Sequence, residues 1–333
     1  MIRESVLLGT FFGLVSALGY SAANVCLRAV INCDPMWVSC VKAMPTAVLL
    51  GAWLLVGSLA GRRDLPRGRF LLVVVLSSLF MHVAGNVPFQ WSLSVIGVAL
   101  TTSLTLGLII ITGAVLGRIY LSEPITPRAA AAIGVLGLAV LALVLGAGEA
   151  SSSVLQVENG EAASTGKIVA GVLAACLAGF AYGLLGVVIR HGLMRGGSIA
   201  GTLWTVSTLG VVILGILTMA RLGVSSMLDT SWIDLQTMLG AGLFTTVAFL
   251  TLAKALQLTT LIYINTLNAS QAAMCAVAGV WFFNEPASVA MWSGVGLTAV
   301  GLVLMDRQSH RLQTPADLKS EPASSAPLVN SPD

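Results

Sequence analysis

Apolar runs about as long as a bilayer is thick follow one another along this chain, parted by short polar breaks. In the first half they lie near 6–28, 36–60, 70–91, 96–118 and 127–147. In the second they lie near 167–189, 198–220, 235–257, 261–283 and 287–305. A helical crossing takes about 20 predominantly apolar residues, because hydrocarbon offers the backbone no hydrogen-bond partner and the segment must satisfy its own. The pattern predicts an all-α integral membrane protein of about ten transmembrane helices. Residues 148–166, with Glu149, Glu158 and Glu161, have no apolar face and read as a polar external linker. From 306 to 333 the chain turns to Ser, Pro, Ala and charge, a composition that cannot bury enough apolar surface to fold, and it reads as a disordered cytoplasmic tail.

Four landmarks return 162 residues later: Tyr20 as Tyr182, Arg28 as Arg190, Glu123-Pro124 as Glu285-Pro286, and Gly134 as Gly296. The chain therefore reads as one membrane unit written twice, 1–147 and 167–305, with five helices in each. An odd number of crossings sends the second unit in from the opposite side, so the repeats are inverted, the arrangement that underlies alternating access. Lys and Arg set the orientation. With a cytoplasmic N-terminus, Arg62, Arg63, Arg67, Arg69, Arg118, Arg128, Arg190, Arg195 and Lys254 fall on the inner side, and only Arg28, Lys167 and Arg221 outside. Positive loops stay inside, which predicts both termini in the cytoplasm of a multi-pass plasma-membrane protein. Residues 1–23 could pass for a signal peptide, but the helix around Tyr182 is their counterpart, so the first run reads as a true crossing.

Composition agrees and narrows the chemistry. Of 333 residues 56% are hydrophobic and 9% charged, against roughly a quarter charged in soluble domains. The basic cluster from Arg62 to Arg69 sits between two crossings, where it is a topology signal and no nucleic-acid surface. Five scattered cysteines form no C-x-x-C pair or disulfide framework. His82 lies in a span, His191 in a loop and His310 in the tail, too dispersed for a metal. No P-loop is present, nor a nucleophile–base pair, so neither cofactor nor catalytic residue is expected.

What remains is a set of polar side chains inside apolar spans. Lys42 is the sharpest, since a mid-membrane ammonium costs roughly 2.5–3.5 kcal/mol on insertion scales and should face a cavity or a partner. Snorkelling to the outer surface is the alternative. His82, Asn86 and Gln90 make one polar stripe at i, i+4 and i+8, on a helix interrupted by Gly85 and Pro88. Such a stripe serves either a transport site or helix–helix hydrogen bonding. Tyr20 with Asn24, Tyr182, Ser103, Asn265, Asn268 and Gln271 add hydroxyls and amides suited to a small polar or zwitterionic solute. Glu123-Pro124 and Glu285-Pro286 head the fifth and tenth spans, where Pro suits a first turn and a carboxylate caps free amides. A part in gating or ion coupling is the other reading of these four residues.

Leu121-Ser-Glu-Pro-Ile-Thr126 and Phe283-Asn-Glu-Pro-Ala-Ser288 resemble the Glu-bearing signature between the fourth and fifth helices of each EamA repeat. The short connections Trp91–Gly97 and Lys254–Thr260 are also similar to that family, part of the drug/metabolite transporter superfamily. The resemblance spans residues 6–305 and implies a ten-helix basket with a central substrate cavity. It also implies movement of small metabolites, amino acids or drugs, often outward. The expected function is a secondary transporter, an exporter of a small amino-acid-like or amphipathic solute, working within the lipid bilayer. Coupling to a proton or ion, and pairing of two copies as a homodimer, stay open. The rival classes are a membrane-embedded enzyme and a non-transporting sensor or assembly subunit.

Overall fold

The computed structural model describes residues 2–61, 64–122, 127, 130–135, 137–139, 141–142, 165–268, 270–285 and 288–306. Helices dominate, and no strand occurs among the described residues. Helix α1 spans Ile2–Ala29, α2 Pro35–Leu59 and α3 Gly68–Phe80. A π-helical turn, Met81–Asn86, joins α3 to α4, Val87–Tyr120. After the break come α5 Thr165–Met194, α6 Ile199–Leu228, α7 Trp232–Leu258, α8 Leu261–Asn268, α9 Ser270–Phe283 and α10 Val289–Asp306. Residues 130–135 and 137–139 are helical too, where the fifth run was expected. The expected linker 148–166 and tail 306–333 fall almost wholly outside the described residues, although α5 already begins at Thr165.

Starts of helices follow from local chemistry. Asp34 opens α2 by accepting from the Met36 and Trp37 amides at 2.9 and 3.1 Å, with Pro35 in the first turn. Ser198 opens α6 and Ser231 opens α7 in the same way. Two backbone oddities recur at the 162-residue interval: Gly61 and Gly223 have φ of 79° and 77°, and Ser122 and Asn284 have φ of 55° and 52°.

Gly68–Tyr120 is 53 residues of unbroken apolar character, about 80 Å at 1.5 Å per residue, far beyond a hydrocarbon core of about 30 Å. It folds back on one residue. Ser92 and Thr101, nine apart and thus about 13 Å apart in a straight helix, share a 2.9 Å hydroxyl hydrogen bond. The pivot between them is Gly97, at φ 78° and ψ 174°, a backbone region almost closed to other residues. The connection expected between the third and fourth runs, Trp91–Gly97, is therefore helical up to its last residue, and the turn is a single glycine. A Cβ on Gly97 would also lie 2.6 Å from a Glu285 carboxylate oxygen. Gly97→Ala is expected to lose roughly 1–3 kcal/mol from backbone strain alone, read as a lower unfolding temperature in detergent.

The π turn has a local cause. Pro88 has no N–H to continue the helical ladder, and the Val87 amide instead donates to the His82 carbonyl, five residues back. That wider turn presents His82 and Asn86 together. The matching stretch of the second half, in α7, carries no such turn.

Helix α1 lies along α7, α5 lies along α4 and the π turn, and α2 lies along α6. Close approaches use small residues: a Cβ on Gly19 would meet Ala248 at 3.0 Å, and one on Gly242 would meet the Lys42 carbonyl at 2.6 Å. Apolar side chains face outward all round, with Leu59, Trp281 and Val289 at 83%, 78% and 86% exposure. Six helices are long and apolar enough to cross a membrane. An exterior of this kind is stable in lipid and not in water, so the chain is a multi-pass membrane protein.

Candidate functional site

Helices of both halves line a cavity of about 190 Å³. Tyr20 and Asn24 reach it from α1, Lys42 from α2, His82 and Asn86 from the π turn, Tyr182 from α5, and Asn265 and Asn268 from α8. Eight of the ten side chains predicted as substrate-binding thus share one space. Gln90 and Ser103 do not line it. Gln90 is 2% exposed and donates to the Leu27 carbonyl at 3.0 Å, tying α4 to the end of α1. Its period of four is kept, but the helix has already turned that face into the bundle. Ser103 is buried at 2%, with no hydrogen-bond partner for its hydroxyl among the described residues.

The polar stripe is a directed network. The His82 Nε2 atom lies 2.9 Å from the Val206 carbonyl, which can only accept, so Nε2 carries the proton. Nδ1 is then a lone pair and accepts from the Asn86 side-chain N–H at 2.9 Å. That fixes Asn86 with its oxygen turned the other way, where it accepts from the Lys42 ammonium and from the Tyr182 hydroxyl, both at 2.8 Å. A single amide thereby joins α2, the π turn and α5. Gly210 on α6 packs on the His82 ring, leaving no room for a side chain there.

Lys42 is 9% exposed, so it does not snorkel. Its hydrogen-bond partner is a neutral amide, and no carboxylate pairs with it among the described residues. It is the one formally charged group among the cavity-lining residues, which include no Asp or Glu. The opposite wall is neutral. Asn268 accepts from Ser16 at 3.2 Å and from Gln271 at 2.9 Å and donates to the Ile264 carbonyl, so its capacity is largely spent on packing α8 against α1. Asn24 makes a long contact of 3.8 Å to the Cys275 sulfur.

Several lining residues escaped sequence reasoning. Thr246 donates to the Gly242 carbonyl, so Thr46 is the donor in the 2.7 Å bond between the two threonines. Thr46 lies one turn from Lys42 on the same face of α2, and that spacing was the available signal. Phe249, Leu252, Leu185 and Ile189 supply an apolar wall, as ordinary in sequence as any lipid-facing residue. Among the described residues no group of three or more His, Cys, Asp or Glu could hold a metal ion.

Glu285 caps a helix, but another one than spacing suggested. Helix α10 is opened by Ser288, whose hydroxyl accepts from the Met291 amide at 3.1 Å. The Glu285 carboxylate reaches the start of the second arm of α4, accepting from the Val98 and Ala99 amides at 2.7 and 3.1 Å. Arg28, at the end of α1, donates to the same carboxylate at 3.0 Å, and its guanidinium sits 5.3 Å over the Phe283 ring. Both partners are buried, at 8% and 2% side-chain exposure. This charged knot closes one end of the bundle, away from the cavity. Glu123, Pro124 and Pro286 lie outside the described residues. At the other end Arg190 donates to the Leu256 carbonyl.

Residues 169–306 match the model of the EamA-like transporter family. A solved crystal structure superposes with a TM-score of 0.63 over 92% of this chain and 99% of its own, at 14% identity, a likeness of fold alone. No curated protein matches the sequence. The chain is thus a multi-pass membrane protein with a cavity between its two halves, and its residues 169–306 are similar to the EamA-like transporter family.

Proposed function

We propose that this protein is a secondary transporter exporting a small amphipathic, amino-acid-sized metabolite across the plasma membrane by alternating access. One observation carries the reading: buried polar groups from both halves converge on one cavity, and among them Lys42 has no carboxylate partner among the described residues. Transport sites lie where two repeats meet. The exchange of partners, α1 on α7 and α5 on the third helix's π turn with α2 on α6 between them, is what a two-fold axis between inverted repeats would generate. The recurring backbone geometry at Gly61/Gly223 and Ser122/Asn284 supports the same repeat.

Ten crossings with both termini cytoplasmic fit the contacts at the two ends. Arg28, Gly97 and Glu285 meet at one end, as do Asp34 and Arg221 at 3.3 Å. Phe70 packs on Gly192 at the other. Cells overproducing the protein are expected to accumulate a specific metabolite in their medium, and purified protein in liposomes to move that solute unchanged. A solute that emerges chemically converted would favour an embedded enzyme instead. Absence of any flux for the accumulated solute would favour a sensor or assembly subunit.

A further inference from the structure

The cavity holds one formal charge, and it is positive. Lys42 presents three N–H donors, of which Asn86 takes one at 2.8 Å. Asn86 cannot turn its oxygen away, because its amide nitrogen is committed to His82 and His82 is committed to the Val206 carbonyl. The network therefore holds the ammonium in place without neutralising it. A buried charge is ordinarily paired with an opposite one, and no carboxylate among the described residues supplies it. The missing partner has one place to sit, the cavity that Lys42 lines.

We infer that the substrate is a small organic monoanion, its negative group seated on Lys42 and its apolar body against Leu185, Ile189, Phe249 and Leu252. This rests on reading the cavity as the transport site. A cationic solute would meet a like charge with no carboxylate to offset it. A neutral solute would leave two ammonium donors without a charged acceptor in a cavity with a largely apolar wall. The remaining lining groups, Asn24, Thr46 and Asn265, are uncharged hydroxyls and amides that can orient a second polar group but add no charge.

Three probes of one shape separate the cases: 3-phenylpropionate, 3-phenylpropionamide and 3-phenylpropylamine, each added to purified full-length protein in detergent, with sodium chloride as control. The carboxylate is expected to raise the unfolding temperature in a saturable way, with the amide and the amine weaker by about tenfold or more in apparent affinity. In Lys42→Met the preference should vanish, and in Lys42→Arg it should persist. Equal protection by all three probes, protection by none, or an unchanged preference in Lys42→Met would overturn the inference. So would a chloride effect as large as the carboxylate's, the mark of an adventitious ion only. If Lys42→Met does not fold, the ranking of probes on the native protein and on Lys42→Arg decides. Failure here is distinct from failure of transport. Flux of an uncharged or cationic metabolite overturns the anion site and leaves the transporter, whereas probe discrimination without any flux leaves the anion site and removes the transporter.

Discussion

Glu285→Gln is expected to destabilise the protein by about 3–5 kcal/mol, the usual consequence of leaving one member of a buried ion pair alone. The substitution is nearly isosteric, so packing is kept and the loss is electrostatic. Arg28 would stay 7% exposed with its guanidinium facing an amide. One of the two amides at Val98 and Ala99 would meet an N–H where it now meets an oxygen. Helix dipole adds to the effect, since a carboxylate at a helix start is favoured by the partial positive charge there. Replacing both partners, as in Arg28→Met with Glu285→Gln, removes the orphaned cation and should recover part of the loss. The Val98 and Ala99 amides would still lack a charged cap, worth about 1 kcal/mol. Equilibrium unfolding in mixed micelles checks the cycle. A single-mutant loss below about 1 kcal/mol, typical of exposed pairs, would mean that the pair contributes no more than a surface bridge.

Asn86→Leu should abolish transport more completely than any other single change in the cavity wall. The leucine fills nearly the same volume but removes three hydrogen bonds at once, those to Lys42, Tyr182 and His82. Hydrogen bonds to charged groups contribute about 1.5–3 kcal/mol each, so losing the Lys42 anchor alone corresponds to a roughly 10- to 100-fold fall in flux. Asn86→Asp distinguishes anchoring from charge. It keeps Lys42 and Tyr182 hydrogen-bonded and supplies the opposite charge that the cavity lacks. The protein should then fold, yet lose transport, because Lys42 is neutralised by its own neighbour. Flux in liposomes, set against melting temperature, reads both variants. Transport surviving in Asn86→Asp would mean that the positive charge of the cavity does not matter.

Much of the architecture could be read from the chain. Run lengths located the described helices to within a few residues, the fifth run lying partly outside them, and Pro88 with Gly85 marked where the third helix departs from the α form. Lys42, His82 and Asn86 stood out because a polar group in hydrocarbon has no other local explanation. Two of the site residues were misplaced for one reason. Gln90 continues the stripe of His82 and Asn86, and Ser103 stands 162 residues before Asn265, but neither period nor repeat register says what the opposing helix presents. The target of Glu285 was equally hidden. A carboxylate before a proline suggests a cap on its own helix, whereas its partners lie 187 and 186 residues away. The fold-back at Gly97 looked like a loop of several residues. One glycine suffices because the neighbouring arm supplies hydroxyl bonding, and a distant side chain receives the freed amides.

The Glu285 knot also bears on how the protein is made. Val98, Ala99 and Arg28 leave the ribosome long before residue 285, and at about 5–20 residues per second the interval is on the order of ten seconds or more. Throughout it the second arm of α4 has its first amides without the carboxylate that caps them, and Arg28 is without its anion. The first half is therefore made in a provisional form, and a residue 186 or more positions later completes it.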